Sequence, residues 1–180
     1  MSDKNNRGFT IWFTGLSSSG KTTISKALEG LLPKYFKRPV YVIDGDTMRQ
    51  TINKDLGFEK KHRNIATERI AYVARILNDN GVTCIVSNIS QDHKIRSRVR
   101  CLIEEFVLVY VNTPPKICAE RDYKGHWENA LSGRLDNFVG VTDKYEVPED
   151  SEVEIDTLVQ DPSSAANIIV QYLRDSNFLK

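Results

Sequence analysis

Excess charge of one sign, long apolar runs and cysteine are all scarce in this 180-residue chain. Lysine and arginine number 25 against 24 aspartates and glutamates, a formal net charge of +1. A general binder of nucleic acid polymers or of anionic membranes carries a basic excess, so neither partner is expected. A few placed cations would still hold a small anionic substrate. No apolar run approaches the roughly 20 residues of a membrane span. Met1 to Gly8 is polar and holds no apolar signal core. Cys84, Cys101 and Cys118 are widely spaced and match no zinc or redox pattern. They read as reduced thiols, buried or idle, and a cytoplasmic protein is expected. His62, His93 and His126 form no ligand cluster.

Hydrophobic residues at 40% and charged residues at 27% suit one globular domain over residues 1–180. Strand-like runs alternate with amphipathic helices. Strands are predicted at Phe9–Thr14, Val40–Ile43, Val82–Val86, Phe106–Val111 and Glu152–Asp156. Helices are predicted at Lys21–Leu32, over 60–79, and at Gln91–Glu104, Pro114–Glu120 and Ser163–Leu173. Residues 121–147 are polar and without a clean period, and read as a mobile lid with helix at Trp127–Ser132. This alternation predicts an α/β fold, a mostly parallel five-stranded sheet with helices on both faces. Ligands then bind at the carboxyl ends of the strands.

Gly15-Leu16-Ser17-Ser18-Ser19-Gly20-Lys21-Thr22 matches the phosphate-loop pattern GxxxxGK[ST], with a strand before it and a helix after. Glycines let the backbone wrap a phosphate, and the loop amides face the anion. Gly15, Ser17, Ser18, Ser19 and Gly20 are therefore expected around ATP. Lys21 is expected at the β- and γ-phosphates, Thr22 on Mg²⁺ and Thr23 near the α-phosphate. A GTPase would also need a base-reading Asn-Lys-x-Asp. Asn53-Lys54-Asp55-Leu56 has its aspartate one place early, and Asp122-Tyr123-Lys124-Gly125 follows a helix, so neither serves. A small metabolite kinase is the simplest account.

Asp44-Gly45-Asp46 ends the second strand, with Arg49 three residues on. Carboxylates there would sit beside the γ-phosphate, to deprotonate or orient a hydroxyl or to hold Mg²⁺ through water. The structural alternative is an N-cap aspartate before a helix, with Asp46 able to cap as well as act.

TIWFTGLSSSGKTT, VIDGDTMRQTINKDLGF, IVSNIS, ERDYKG, SGRLDNFVGV and YEVPED followed by EVEIDT together resemble the adenylylsulfate kinase family, over roughly Gly8 to Thr157. The resemblance implies a P-loop kinase fold, usually dimeric. It implies transfer of the ATP γ-phosphate to the 3′-hydroxyl of adenosine 5′-phosphosulfate. By position it makes Asp46 and Arg49 substrate contacts, with Asp46 the first choice for engaging the hydroxyl. Phe58 and Phe138 become the two aromatic walls around the substrate base, and Phe138, in a polar lid, is not expected in a core. Arg63 becomes an anion contact, Ile89 and Ser90 the turn beside the substrate, and Val141 a further contact. Ser90 stands where a phosphoserine intermediate has been proposed for the family, and is read as a binding residue. Arg121 and Lys124 open the lid toward ATP.

The departures from the family lie mostly at positions expected on the substrate side. Ala66 stands for Asn, Gln91 for Pro, Glu128 and Asp136 for Lys, and Thr142 for Asp. Two cations lost and two carboxylates gained shift the local charge by about four units. Two readings stay open: drift at a tolerant lid surface, or another 3′-hydroxyl nucleotide such as cytidine 5′-diphosphoramidate, whose amine could donate to a carboxylate. A non-catalytic nucleotide-binding module is the reading from another class.

Overall fold

The computed structural model describes residues 7–179. The polar start read as lacking a signal core lies, through residue 6, outside them. Five strands form one parallel sheet: β1 Thr10–Thr14, β2 Val40–Asp44, β3 Thr83–Ser87, β4 Phe106–Asn112 and β5 Val153–Asp156. Their spatial order is β2-β3-β1-β4-β5. In-register pairs such as Ile11 with Ile85 and with Val107 fix the centre. The strand alternation sorts the core. Ile11, Phe13, Ile85, Val107 and Val109 face one side of the sheet, and Trp12, Cys84, Val86 and Leu108 the other. Each side needs an apolar cover, and side chains of this size contribute about 1.5–3 kcal/mol when fully buried.

Helix α1, Lys21–Leu31, and helix α7, Pro162–Asp175, cover the first face with Ile24, Leu28, Ile169 and Leu173. Pro33 stops α1 by opening a 3-10 turn at Leu32–Lys34. Helix α3, Lys60–Asp79, and helix α4, His93–Leu102, cover the second with Ile70, Ala71, Ala74 and Val99. Helix α4 starts two residues later than the sequence predicts. Asp92 caps it by accepting from Ile95 N at 2.8 Å, which leaves Gln91 in the preceding turn.

A helix absent from the predicted element order, α2 at Gly45–Gln50, follows β2 directly. It is short and opens on glycine, so periodicity does not reveal it. Helices α5, Pro115–Glu120, and α6, His126–Leu131, follow β4. Leu16, Cys118, Trp127 and Val139 form a third apolar cluster that fastens the segment after α5 onto the phosphate loop. No helix among the described residues is long and apolar enough to cross a membrane.

Candidate active site

All five strands run in the same direction, so their carboxyl ends open onto one cavity of about 760 Å³. The phosphate loop forms its floor between β1 and α1. Gly15, at φ 148°, has no room for a side chain, because a Cβ would come within 2.7 Å of Val111 O. Gly20, at φ 106°, needs glycine for its backbone alone, since nothing lies near a Cβ there. Lys21 Nζ donates to Leu16 O at 2.6 Å and to Gly15 O at 3.1 Å. Burial pushes its ammonium down to about 8, against the opposing pull of nearby groups that include the Asp46 and Asp44 carboxylates. The lid side grips the same loop: Trp127 Nε1 donates to Ser17 O at 3.2 Å, and Asp122 accepts from Trp127 N at 2.6 Å.

The two aspartates after β2 divide their work in a way the sequence leaves open. Asp44, not Asp46, caps α2, its Oδ1 accepting from Asp46 N at 2.9 Å and Thr47 N at 3.3 Å. Its Oδ2 accepts from the Thr22 hydroxyl at 2.9 Å. Asp46 lies in the first turn of α2, exposed, and pairs with Lys124 Nζ at 2.5 Å. That bond holds the Lys124 ammonium above its usual range.

On the other side, Arg49 donates to Gly57 O at 2.7 Å and Leu56 O at 3.1 Å, and lies 4.7 Å over the Phe58 ring. Burial, with Arg63 nearby, lowers the Arg49 pKa. The Arg63 guanidinium donates to Phe58 O and Asn137 O and pairs with Asp143, so it ties α3 to the lid. Ser90, at φ 46°, is buried in a turn held from three directions. Its amide and hydroxyl both donate to Asn88 Oδ1 at 2.9 Å, its Oγ accepts from Trp12 Nε1 at 2.9 Å, and its carbonyl accepts from Arg96 at 2.9 Å. Ile89 O accepts from Thr14 Oγ1 at 2.6 Å. At the far end, Arg121 donates to Thr157 Oγ1 at 3.0 Å and Thr157 O at 3.2 Å.

Of the residues expected in the site, all but Gly15, Phe138 and Val141 line the cavity. Gly15 acts through its carbonyl on Lys21. Phe138 sits edge-on to Trp127, ring centroids 5.2 Å apart, against the third apolar cluster beside Val141. The expectation that a polar lid keeps Phe138 out of a core is therefore corrected: Trp127 supplies that core.

The departures separate in the same way. Ala66 and Gln91 line the cavity, whereas Glu128, Asp136 and Thr142 do not. Glu128 is exposed and pairs with Arg134 at 3.4 Å, and Thr142 Oγ1 accepts from Phe138 N at 2.7 Å within the lid's own turn. The four-unit charge change thus falls outside the cavity. The sequence reasoning missed Asn53, Asn88, Asp143, Trp127, Thr157 and Gln160. Asn53, Asn88 and Trp127 lie within or beside quoted motifs, but nothing in their spacing marked them.

The order of strands, the loop between β1 and α1 and the cavity over it can be compared with known proteins. The family model for adenylylsulphate kinase matches residues 7–156.

The chain belongs to the adenylylsulphate kinase family.

It is similar to an adenylyl-sulfate kinase of Halothermothrix orenii, 37% identical over 179 residues, covering 98% of this chain and 95% of that protein. It is similar in structure to the Mycobacterium tuberculosis APS kinase CysC, solved in complex with AMPPNP and APS, with a TM-score of 0.88 and 32% identity over 93% of this chain and 98% of that one. A shikimate kinase from Acinetobacter baumannii shares the fold, with a TM-score of 0.57 at 18% identity and full coverage of both chains.

Proposed function

We propose that this chain transfers the γ-phosphate of Mg·ATP to the 3′-hydroxyl of adenosine 5′-phosphosulfate, giving 3′-phosphoadenosine 5′-phosphosulfate and ADP. One observation carries the reading: the phosphate loop with Lys21 and the Asp46 carboxylate open into one cavity that also holds Arg49, Phe58, Arg63 and Ser90. Family membership supports the acceptor. The lid carboxylates that would favour a cytidine acceptor lie off the cavity.

Ser17 to Gly20 offer backbone amides to the ATP phosphates, and Lys21 swings from the loop carbonyls to the β- and γ-phosphates. Thr23, Arg121 and Lys124 complete the ATP side. No group of three or more His, Cys, Asp or Glu among the described residues could hold a metal. The Thr22 hydroxyl beside Asp44 is still a fitting oxygen pair for Mg²⁺, an ion that keeps waters and phosphate oxygens as its remaining ligands. When bound, it neutralises phosphate charge. Asp46, released from Lys124, takes the proton of the 3′-hydroxyl. The freed oxygen attacks the γ-phosphorus in line as the bond to the β–γ bridging oxygen breaks. The Ser90 hydroxyl already donates to Asn88, which favours direct transfer with Ser90 and Ile89 shaping the substrate side.

Arg49 and Arg63 meet the acceptor's anionic groups, and Phe58 stacks on its base. Phe138 and Val141 act from behind, by holding the lid. A homodimer working in the cytoplasm completes the reading. Mass analysis of product after mixing Mg·ATP with adenosine 5′-phosphosulfate or cytidine 5′-diphosphoramidate tests it. A 3′-phosphorylated adenosine product is expected, and product from the cytidine compound alone would refute it.

A further inference from the structure

The substrate side of the cavity holds buried acceptors that no protein donor satisfies. Asn53 is 1% exposed and Gln91 4% exposed, and both line the cavity. Asn53 Oδ1 and Gln91 Oε1 are buried and lack a hydrogen-bond partner among the described residues. The Asn53 amide turns its Nδ2 toward Ala66 O at 3.4 Å, which leaves the oxygen as the free end. Gln91 is held in place by its own backbone, whose carbonyl accepts from Glu146 N at 2.8 Å. Its neighbour Ser90 is fixed by Asn88, Trp12 and Arg96. A buried, unpaired carbonyl oxygen is costly, and a ligand that brings an N–H removes that cost.

We propose that Asn53 and Gln91 select an acceptor base that carries an exocyclic amine, whose N–H groups donate to Asn53 Oδ1 and Gln91 Oε1. A base with a carbonyl at that position would set oxygen against oxygen. The Ala66 side chain, on the residue whose carbonyl Asn53 meets, adds no competing polar group. An amine is shared by adenine and cytosine, so the two amides admit either base and decide against hypoxanthine. The proposal rests on the acceptor reading above and deepens it: Gln91, at the position of the family's usual Pro, becomes a specificity-determining residue.

The test compares kcat/KM for adenosine 5′-phosphosulfate, its inosine counterpart and cytidine 5′-diphosphoramidate in the wild type and in Gln91→Met and Asn53→Ala. The wild type is expected to prefer adenosine over inosine by about 100-fold or more. Gln91→Met should reduce that preference by about tenfold through poorer use of adenosine, with KM for ATP unchanged. Asn53→Ala should act in the same direction. If Asn53→Ala fails to fold, as a thermal melt would report, Gln91→Met decides alone, because an unchanged KM for ATP certifies its fold. An adenosine-to-inosine preference that survives Gln91→Met at its wild-type value overturns the proposal and leaves the acceptor reading intact. A wild type that uses only the cytidine compound refutes the acceptor reading but not the selection of an amine, and a Gln91→Met variant that leaves kcat/KM for the cytidine compound unchanged would then overturn the proposal.

Discussion

The phosphate loop and the acceptor side of the same cavity are built by different means. The loop is one contiguous stretch, Gly15 to Thr22, whose conformation is dictated by its own glycines and whose lysine is held by its own carbonyls. The proposed acceptor side is assembled from cavity-lining residues of several segments: Asp46 and Arg49 on α2, Phe58 before α3, Arg63 on α3 and Ile89 to Gln91 after β3. The first is legible from spacing alone and serves any kinase of this fold. The second depends on which segments the topology brings together, and it is where a family member acquires its acceptor.

The largest effect is expected where the loop is broken. Lys21→Ala removes the cation that follows the migrating charge, and stabilisation of that kind is worth ~3–4 kcal/mol, so kcat should fall by at least ~100-fold in an ADP-release assay. A near-normal kcat would take Lys21 out of the reaction. On the acceptor side, Phe58→Ala should weaken the acceptor by ~1–3 kcal/mol, roughly 5- to 150-fold in KM, with KM for ATP unchanged. Equal losses for both substrates would mean that Phe58 supports the fold instead.

A smaller effect follows from the Lys21 ammonium, which burial lowers to about 8. Free enzyme loses that charge as pH rises through this value, whereas bound triphosphate favours the charged form. Above about pH 8, kcat/KM for ATP should therefore fall by up to about tenfold per pH unit while kcat holds. A kcat/KM that stays flat to pH 9.5 contradicts this. The smallest effect belongs to the lid surface. Asp136→Lys reverses the charge at an exposed position off the cavity, where solvent screening is strong, and should change kcat/KM for the acceptor by less than about threefold. A change beyond tenfold would bring the lid carboxylates back into the question of which acceptor is used.

Sequence legibility followed the same division. The five strands, the long α3 and the phosphate loop were readable because period-2 and period-3.6 patterns and a fixed glycine spacing are local properties. Helix α2 was foreseen only as the alternative in which an aspartate caps a helix, because six residues opening on glycine carry no period. The capping role fell to Asp44 and not Asp46 because the strand ends on Asp44, a boundary that letters alone do not give. The packing of Phe138 was not readable because its partner, Trp127, lies on α6, several residues earlier in the chain, and the same blindness made Glu128 and Asp136 look like pocket charges. Asn53 and Gln91 carry no motif; only burial without a partner marks them.

Whether phosphate grip and acceptor chemistry are separable is tested most directly on Asp46. This carboxylate pairs with Lys124 and caps nothing, whereas Asp44 holds both α2 and Thr22. Titrating Mg·ATP binding to Asp46→Asn beside its turnover on adenosine 5′-phosphosulfate gives both quantities from one protein. The expected result is an ATP Kd within about twofold of wild type with kcat reduced by ~100-fold or more, the scale of a lost general base. Retained turnover, or ATP binding lost in step with turnover, would contradict the separation.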